Sequence, residues 1–600
     1  MTPQRQRSRE AIRSEMIREV ARLWNYDESE MAVESFDPLV GLLLGAFATG
    51  IEGLHHELQN SRTRIVQRLA QLLTPDVMTG PQPAHAVMRA HVIDPTFEVL
   101  PTHPFSCTTG GKDIHFSAAG PFTLTNARIK AVVIQNKVKT YSPAPKEAFL
   151  NQVVPGNVGW VGLEIDPDLT VFDDLLFFFD WRNDPQRSGH LEQVANIRVW
   201  HNNTEIVAQP GLPDLYSPGD YSLSGNLHQQ VRRYYGRHFL AVSSRTKADG
   251  QPIPLTDSRQ KFPDELRDYL TTEEIAKLFT TDLTWFKLQF PVGLPEDVTY
   301  RILIDINAFP VINRKRCVDT HDLRPLFNIF PVRLEAQDVF LEMIDVETVS
   351  GQRIGPAQQI TRDGQHQYVL RQGGVTRFDE RDSYDMVTYL ITLLRDESAM
   401  FMSMGRNELE SEVEEIRKRL EKINAALGEG GEQRTLLSVK TTEKTGRLTV
   451  QFWSTKGDLA NRVPFGTKLT KDRSLLVFPD DDLVLLTTTT GGKQQLKPDE
   501  NLPAFRQALL TRGRVVTMED IKALCFTELG NRLTGVKVTK GLMTGTTTTQ
   551  GLVRTIDVHL KPNPAKPTTA DEWDDHCHRI KQLIESQSFI LLPYRILLAS

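Results

Sequence analysis

Cysteine is scarce in this chain. Four residues in 600, Cys107, Cys317, Cys525 and Cys577, cannot staple a fold of this length, and the pattern fits a reducing compartment. Long apolar runs are missing as well. The most apolar early stretch, "PLVGLLLGAFATG", is too short for a membrane-spanning helix, which needs about 20 residues. The opening "MTPQRQRSREAIRSEM" lacks the apolar segment of a secretory signal. Charge of one sign is absent too: 70 basic against 76 acidic residues leave −6, with no general pull toward nucleic acid or an anionic membrane. These absences predict a soluble, cytoplasmic protein with no nucleic-acid partner and no direct membrane insertion.

Chemical motifs are equally sparse. His576-Cys577-His578 sits on a predicted helix, where adjacent residues point about 100° apart and cannot share one ion; surface histidines beside a core cysteine are expected. "TTGGKQQ" at 489–495 lacks the first glycine and the Ser/Thr of a phosphate loop and reads as a hairpin turn. His55-His56 lacks the HExxH spacing. Asp480, Asp481 and Asp482 lack the alternation and closing glutamate of a calcium loop. There is no GxSxG. No catalytic residue, cofactor or metal is predicted, and the chain reads as one whose product is a surface.

What is present is organisation. Six hundred residues predict three or four domains, and 40% hydrophobic with 24% charged residues is an ordinary globular balance. The expected class is α+β and multidomain. Residues 1–84 read as a helical bundle for subunit assembly: Leu39, Leu43, Phe47, Ile51 and Leu54 recur at helical spacing after Asp37-Pro38, a capping carboxylate and a first-turn proline. Residues 85–378 read as β-rich, in short aromatic and β-branched runs such as "VGWVGLEIDP", "LLFFFDWRN" and "IRVWHNNTEIV", with one helix around "TTEEIAKLF". Residues 379–431 read as a helical pair. Leu409, Val413, Ile416, Leu420, Ile423 and Leu427 form a strict a/d seam that needs a partner helix, either "SYDMVTYLITLLRDESAMF" in the same chain or another chain. Residues 432–600 begin with strands such as "SLLVF" and "LVLLTT". They end in an α-β-β-α-β order that suits a ferredoxin-like unit, its first helix opened by Thr517 with Asp520 three residues on.

The stretch "DINAFPVINRKR", residues 305–316, is not an ordinary strand. Pro310 interrupts it, Asn307 and Asn313 flank the proline, and Arg314, Lys315 and Arg316 close it. It reads as a structural joint: Pro310 marks an edge or bulge, the asparagines satisfy exposed turn backbone, and the basic tail is a solvated strand exit or pairs with acidic neighbours.

Several islands resemble one family. Residues 34–76, with Asp37-Pro38 opening a helix and Leu72-Leu73-Thr74-Pro75 stopping another, resemble the N-terminal region of TssF, a baseplate subunit of bacterial type VI secretion systems. Asn307, Pro310, Val311 and Asn313 are similar to that family's Asn-x-x-Pro-Val-x-Asn segment. Residues 452–469, "FWSTKGDLANRVPFGTKL", resemble versions found in Bacteroidetes. "RGRVVTMEDIKALCF" is similar to baseplate wedge proteins of contractile phage tails. The resemblance implies a non-enzymatic wedge subunit that pairs with a TssG-like protein and a second copy of itself. It further implies contact with a TssK-like adaptor, a VgrG-like central spike and a TssE-like sheath initiator, on the cytoplasmic side of the inner membrane. A wedge protein of a phage tail or extracellular contractile particle is the alternative. A hydrolase with a carboxylate pair in the β-rich region is the competing reading of a different class.

Overall fold

The computed structural model describes residues 9–23, 43–44, 47–48, 50–51, 80–141, 146–182, 184, 187–213, 223–255, 262–279, 283–324, 328–357, 366–371, 415–416, 418–419, 435–443, 446–473, 475–479, 482–494, 514–544, 551–566, 568, 570–588 and 592–598. The chain divides into two compact units. One takes residues 1–77, 373–432 and 497–513; the other takes 78–372, 433–496 and 514–600. In the first, the described residues are helical: Arg9–Leu23, and positions 43, 44, 47, 48, 50, 51, 415, 416, 418 and 419.

The second unit is mixed α+β and rich in strands. Its largest sheet has ten strands, running from Leu303–Ile306 through Leu175–Asp180, Phe239–Thr246, Thr204–Pro210, Arg198–His201, Thr284–Gln289 and Val158–Glu164. Arg128–Ile134, Lys137–Thr140 and Lys146–Phe149 complete it. The sheet curls until Leu303–Ile306 lies against Arg128–Ile134. The enclosed core holds Phe177, Phe179, Trp181, Leu240 and Phe286. This explains the unbroken apolar run "LLFFFD", buried along its whole length. Phe177 and Phe179 point into the curled sheet, while Leu176 and Phe178 point out into a second core, so both faces of the strand are covered.

That second core is shared with a six-stranded sheet of Thr470–Lys471, Pro104–Thr109, Lys112–Ala118, Ala308–Asn313, His85–Arg89 and Val484–Leu485, in that order. The helix Leu223–Gly236 closes it with Val231, Tyr234 and Tyr235. A third layer pair forms where Lys315–Leu323, Gly446–Thr455 and Val339–Thr348 face a four-stranded sheet around Leu436–Lys440. Phe330, Phe340, Leu437 and Phe452 fill the space between.

Residues 514–600 add helix Met518–Leu529, the long hairpin Leu533–Thr544 with Leu552–Pro562, helix Ala570–Gln587 and strand Tyr594–Leu598. Both halves of the capping box are made: the Asp520 amide donates to Thr517 Oγ1 at 3.2 Å, and the Thr517 amide donates to Asp520 Oδ2 at 2.8 Å. Strand Tyr594–Leu598 pairs directly and in parallel with Leu552–Pro562. A full ferredoxin-like sheet interposes a strand between those two.

Three local expectations are corrected. "SLLVF" forms no strand over its described residues 475–478; they make a turn whose Leu475 and Phe478 plug the core of the six-stranded sheet, so the apolar signal was burial rather than pairing. "IRVWHNNTEIV" is a hairpin, with Asn202 and Asn203 both at positive φ in its turn. Helix Leu223–Gly236 adds to the single helix expected in this region; polar and glycine residues, "SGN" and "HQQ", dilute its apolar face.

Candidate functional site

The joint at 305–316 is where the chain passes through three sheets without a break. Leu303–Ile306 belongs to the curled ten-stranded sheet, Ala308–Asn313 to the six-stranded sheet and Lys315–Leu323 to the third layer pair. One residue makes each transfer: Asn307 the first, Arg314 the second.

Asn307 takes a positive φ of 54°, a conformation that asparagine tolerates better than most residues. It is a buried clasp, not an exposed turn residue. Its Nδ2 donates to Thr125 O at 2.7 Å and Ala127 O at 2.9 Å, and its Oδ1 accepts from the Thr125 amide at 3.0 Å. The side chain thereby holds the corner between Phe122–Thr125 and Arg128–Ile134. Beside it, Asp305 pairs with Arg89 at 2.8 Å. Burial pushes the Asp305 carboxyl up, against the opposing pull of Arg89.

Pro310 lies in an interior strand, not at an edge or bulge. It pairs with Val87 on one side. On the other side the ladder to Lys112–Ala118 ends at Val311 opposite Ala118, and there the Ala119 amide donates to Pro310 O at 2.9 Å. The missing N–H of proline thus falls where the neighbouring strand has run out, which is why the sheet accepts it.

Asn313 is a second buried clasp. Its Nδ2 donates to His115 O at 2.8 Å, and its Oδ1 accepts from Thr455 Oγ1 at 2.9 Å and the Lys456 amide at 3.0 Å. The basic tail does not enter solvent as a group. Arg314 is 3% exposed, donates to Ser117 Oγ and, at 3.1 Å, to Ala118 O, and lies 4.3 Å above the Trp453 ring. Lys315 pairs with Glu335 at 2.5 Å, and Arg316 donates to Gln451 at 2.5 Å. The sequence lacked any sign that Trp453, 139 positions away, would stack on Arg314.

The assembly candidates are described in part. Leu43, Phe47 and Ile51 are 54%, 59% and 42% exposed, whereas Leu44 and Ala48 between them are buried. Four-residue spacing puts the exposed three on one helical face. Ile416 is 47% exposed. Leu39, Leu54, Leu409, Val413, Leu420, Ile423 and Leu427 lie outside the described residues, as do His55-His56 and the Asp37-Pro38 start.

The histidines of 576–578 are not at the surface. His576 is buried, and His578 packs edge-on to Tyr234 with ring centroids 5.2 Å apart. Arg532 bonds the His576 ring. His85 meets the Tyr235 hydroxyl at 3.0 Å. Burial, reinforced by Arg579, lowers the pKa of both His85 and His576 to about 3. Nearby, Glu528 accepts from Arg579 at 2.6 Å and Lys493 at 2.8 Å. "TTGGKQQ" runs here too, and over its described residues it is an extended crossing and not a hairpin turn. Thr490 bridges to His85 and Lys493 to Gln82. A Cβ on Gly491 would come within 2.4 Å of the His85 ring, and one on Gly492 within 2.2 Å of Gly457 O. The glycines serve close packing rather than phosphate. Among the described residues no group of three or more His, Cys, Asp or Glu is placed to hold a metal, and no helix is long and apolar enough to cross a membrane.

The family model described as "Type VI secretion system, TssF" matches residues 16–203. No curated protein matches the sequence. Chains of several solved structures are similar. One, from a type VI secretion system TssK-TssF-TssG baseplate subcomplex, is 12% identical, with 93% of this chain and 96% of that chain covered at a TM-score of 0.43. Another, from the baseplate complex of the type VI secretion system, is 13% identical, with 99% and 94% covered at 0.38. A third, from the anti-feeding prophage baseplate, is 6% identical, with 97% and 70% covered at 0.26. The likeness to the TssF family model thus lies within residues 16–203.

Proposed function

We propose that this chain is a structural, non-enzymatic wedge subunit of a type VI secretion baseplate. The family match over residues 16–203 carries the reading. The exposed stripe of Leu43, Phe47 and Ile51 supports it, because an apolar helix face left in water is what a subunit completed by a partner presents. Assembly contacts are assigned to residues 1–84 and to the helical pair at 379–431. The β-rich residues 85–378 and the α+β residues 432–600 form the body that those contacts position. The partners are a TssG-like protein, a second copy of this chain and a TssK-like adaptor. A VgrG-like spike and a TssE-like sheath initiator are met in the complete ring, on the cytoplasmic side of the inner membrane.

Co-expression with the neighbouring TssG-like protein, followed by native mass measurement, tests this. A stable complex with two copies of this chain per partner is expected, and a lone monomer that ignores the partner refutes it. Burying a side chain the size of Phe47 contributes about 1.5–3 kcal/mol, so Phe47→Asp and Ile416→Asp are each expected to weaken assembly at least about tenfold. The melting of the β-rich body should not move. Wild-type assembly by both variants removes these helices from the interface.

A further inference from the structure

The C-terminal part, residues 514–600, has its own apolar core of Ile521, Cys525, Val558, Leu560, Trp573 and Ile580. No residue of that core is shared with the cores of the curled sheet or the six-stranded sheet. Its contacts with the sheets include the ring contact of His578 on Tyr234, and the others of known geometry are polar.

Ion pairs cross the boundary. Lys493 meets Glu528 at 2.8 Å, Arg462 grips Glu572 with two nitrogens at 2.6 and 3.3 Å, and Lys581 meets Glu192 at 2.6 Å. Gln582 adds a bond to Arg233 O at 2.9 Å. The pairs differ in burial. Lys493 and Glu528 have 30% and 13% of their side chains exposed, whereas Arg462 is 69% exposed. Glu528 is the pivot, since it also takes Arg579 from its own side at 2.6 Å.

We infer that residues 514–600 are a separable module, docked on the sheets by an electrostatic latch centred on Glu528, and that the module releases as a folded body when the latch is screened or broken. Interfaces within a chain that are polar and lack a shared apolar core permit relative motion. Salt shortens the reach of charge to about 3 Å at 1 M, so the exposed Arg462–Glu572 pair weakens first. The inference does not depend on the baseplate reading.

The test uses the full chain with paramagnetic labels at exposed Asn203 and Lys566, and reads the distance distribution between them. Tryptophan signal from buried Trp573 reports the module's own core. Lys493→Met with Arg462→Glu cuts the latch from the sheet side and leaves every residue of the module unchanged. The released population should rise on the order of a hundredfold over wild type at low salt, and 1 M salt should move wild type in the same direction. Adding Glu572→Arg to Arg462→Glu should restore the short distance. Distances unmoved by both salt and the double variant overturn the inference. So does a widening that appears only together with loss of the Trp573 signal, since that is unfolding rather than release.

Discussion

Asn307 permits a sharp separation of backbone from side-chain effects. Its three short hydrogen bonds hold two carbonyls and one amide of the corner at Thr125–Ala127, all shut away from water. Each bond contributes about 1 kcal/mol, and stranding its partner costs about 1–3 kcal/mol. The positive φ adds about 1 kcal/mol against any residue bearing an ordinary Cβ. Asn307→Ala therefore loses at least about 4 kcal/mol. Asn307→Gly pays no φ cost and loses at least about 3 kcal/mol. Asn307→Asp keeps the acceptor for the Thr125 amide but sets a carboxylate oxygen against the carbonyls of Thr125 and Ala127. It should be at least as damaging as alanine above pH 6 and recover in part on acidification. Denaturant unfolding followed by tryptophan fluorescence, with all four proteins side by side, reads the order wild type, Gly, Ala, Asp. Glycine at wild-type stability would show that the clasp contributes nothing and that φ alone selects asparagine here.

Other residues make independent predictions. A Cβ on Gly541 would lie 2.1 Å from Asp557 Oδ2, so Gly541→Ala should destabilise by about 1–3 kcal/mol. In a double-mutant cycle with Asp557→Ala the losses should be clearly less than additive. Arg314→Lys gives up the planar stack on Trp453 and should cost about 1–3 kcal/mol by denaturant midpoint. His85 and His576 are held neutral, with pKa values lowered to about 3 from an ordinary 6.5. The unfolded chain therefore binds protons that the folded chain refuses between those limits. Their contribution is intact above pH 6.5 and falls with decreasing pH, by up to about 1.4 kcal/mol per pH unit for each group. Unfolding midpoints from pH 8 to 4.5 should show that loss, and His576→Gln should reduce the slope; an unchanged slope refutes the assignment.

Local signals were legible where local chemistry decides the outcome. Thr517 and Asp520 announced their capping box, "TTEEIAKLF" gave the helix Thr272–Leu278 with its own cap at Thr271, and "LLFFFD" was a strand on composition alone. The exposed stripe at Leu43, Phe47 and Ile51 follows a spacing that can be counted along the chain. What could not be read was pairing at a distance. Val87 opposes Pro310, Met88 opposes Leu485 and Ser106 opposes Thr470, and no local pattern names a partner 200 to 400 positions away. The same blindness explains the errors at the joint. Pro310 looked like an edge because nothing local shows that the neighbouring strand ends beside it. Arg314 looked solvated because Ser117 and Trp453 are remote in sequence.

The wide spacing of these partners also sets a timetable for synthesis. The curled ten-stranded sheet is built from residues up to Ile306 and can close once they have left the ribosome. The six-stranded sheet cannot, because its last strand ends at Leu485. At about 5–20 residues per second, the roughly 180 intervening residues take on the order of 10–35 s to emerge. Throughout that interval the outward-facing Leu176, Phe178 and Phe239 belong to a core that still lacks Phe478, Leu483 and Leu485. A nascent chain halted between those points would display a finished curled sheet beside an open apolar surface, the state in which ribosome-associated chaperones have the most to shield.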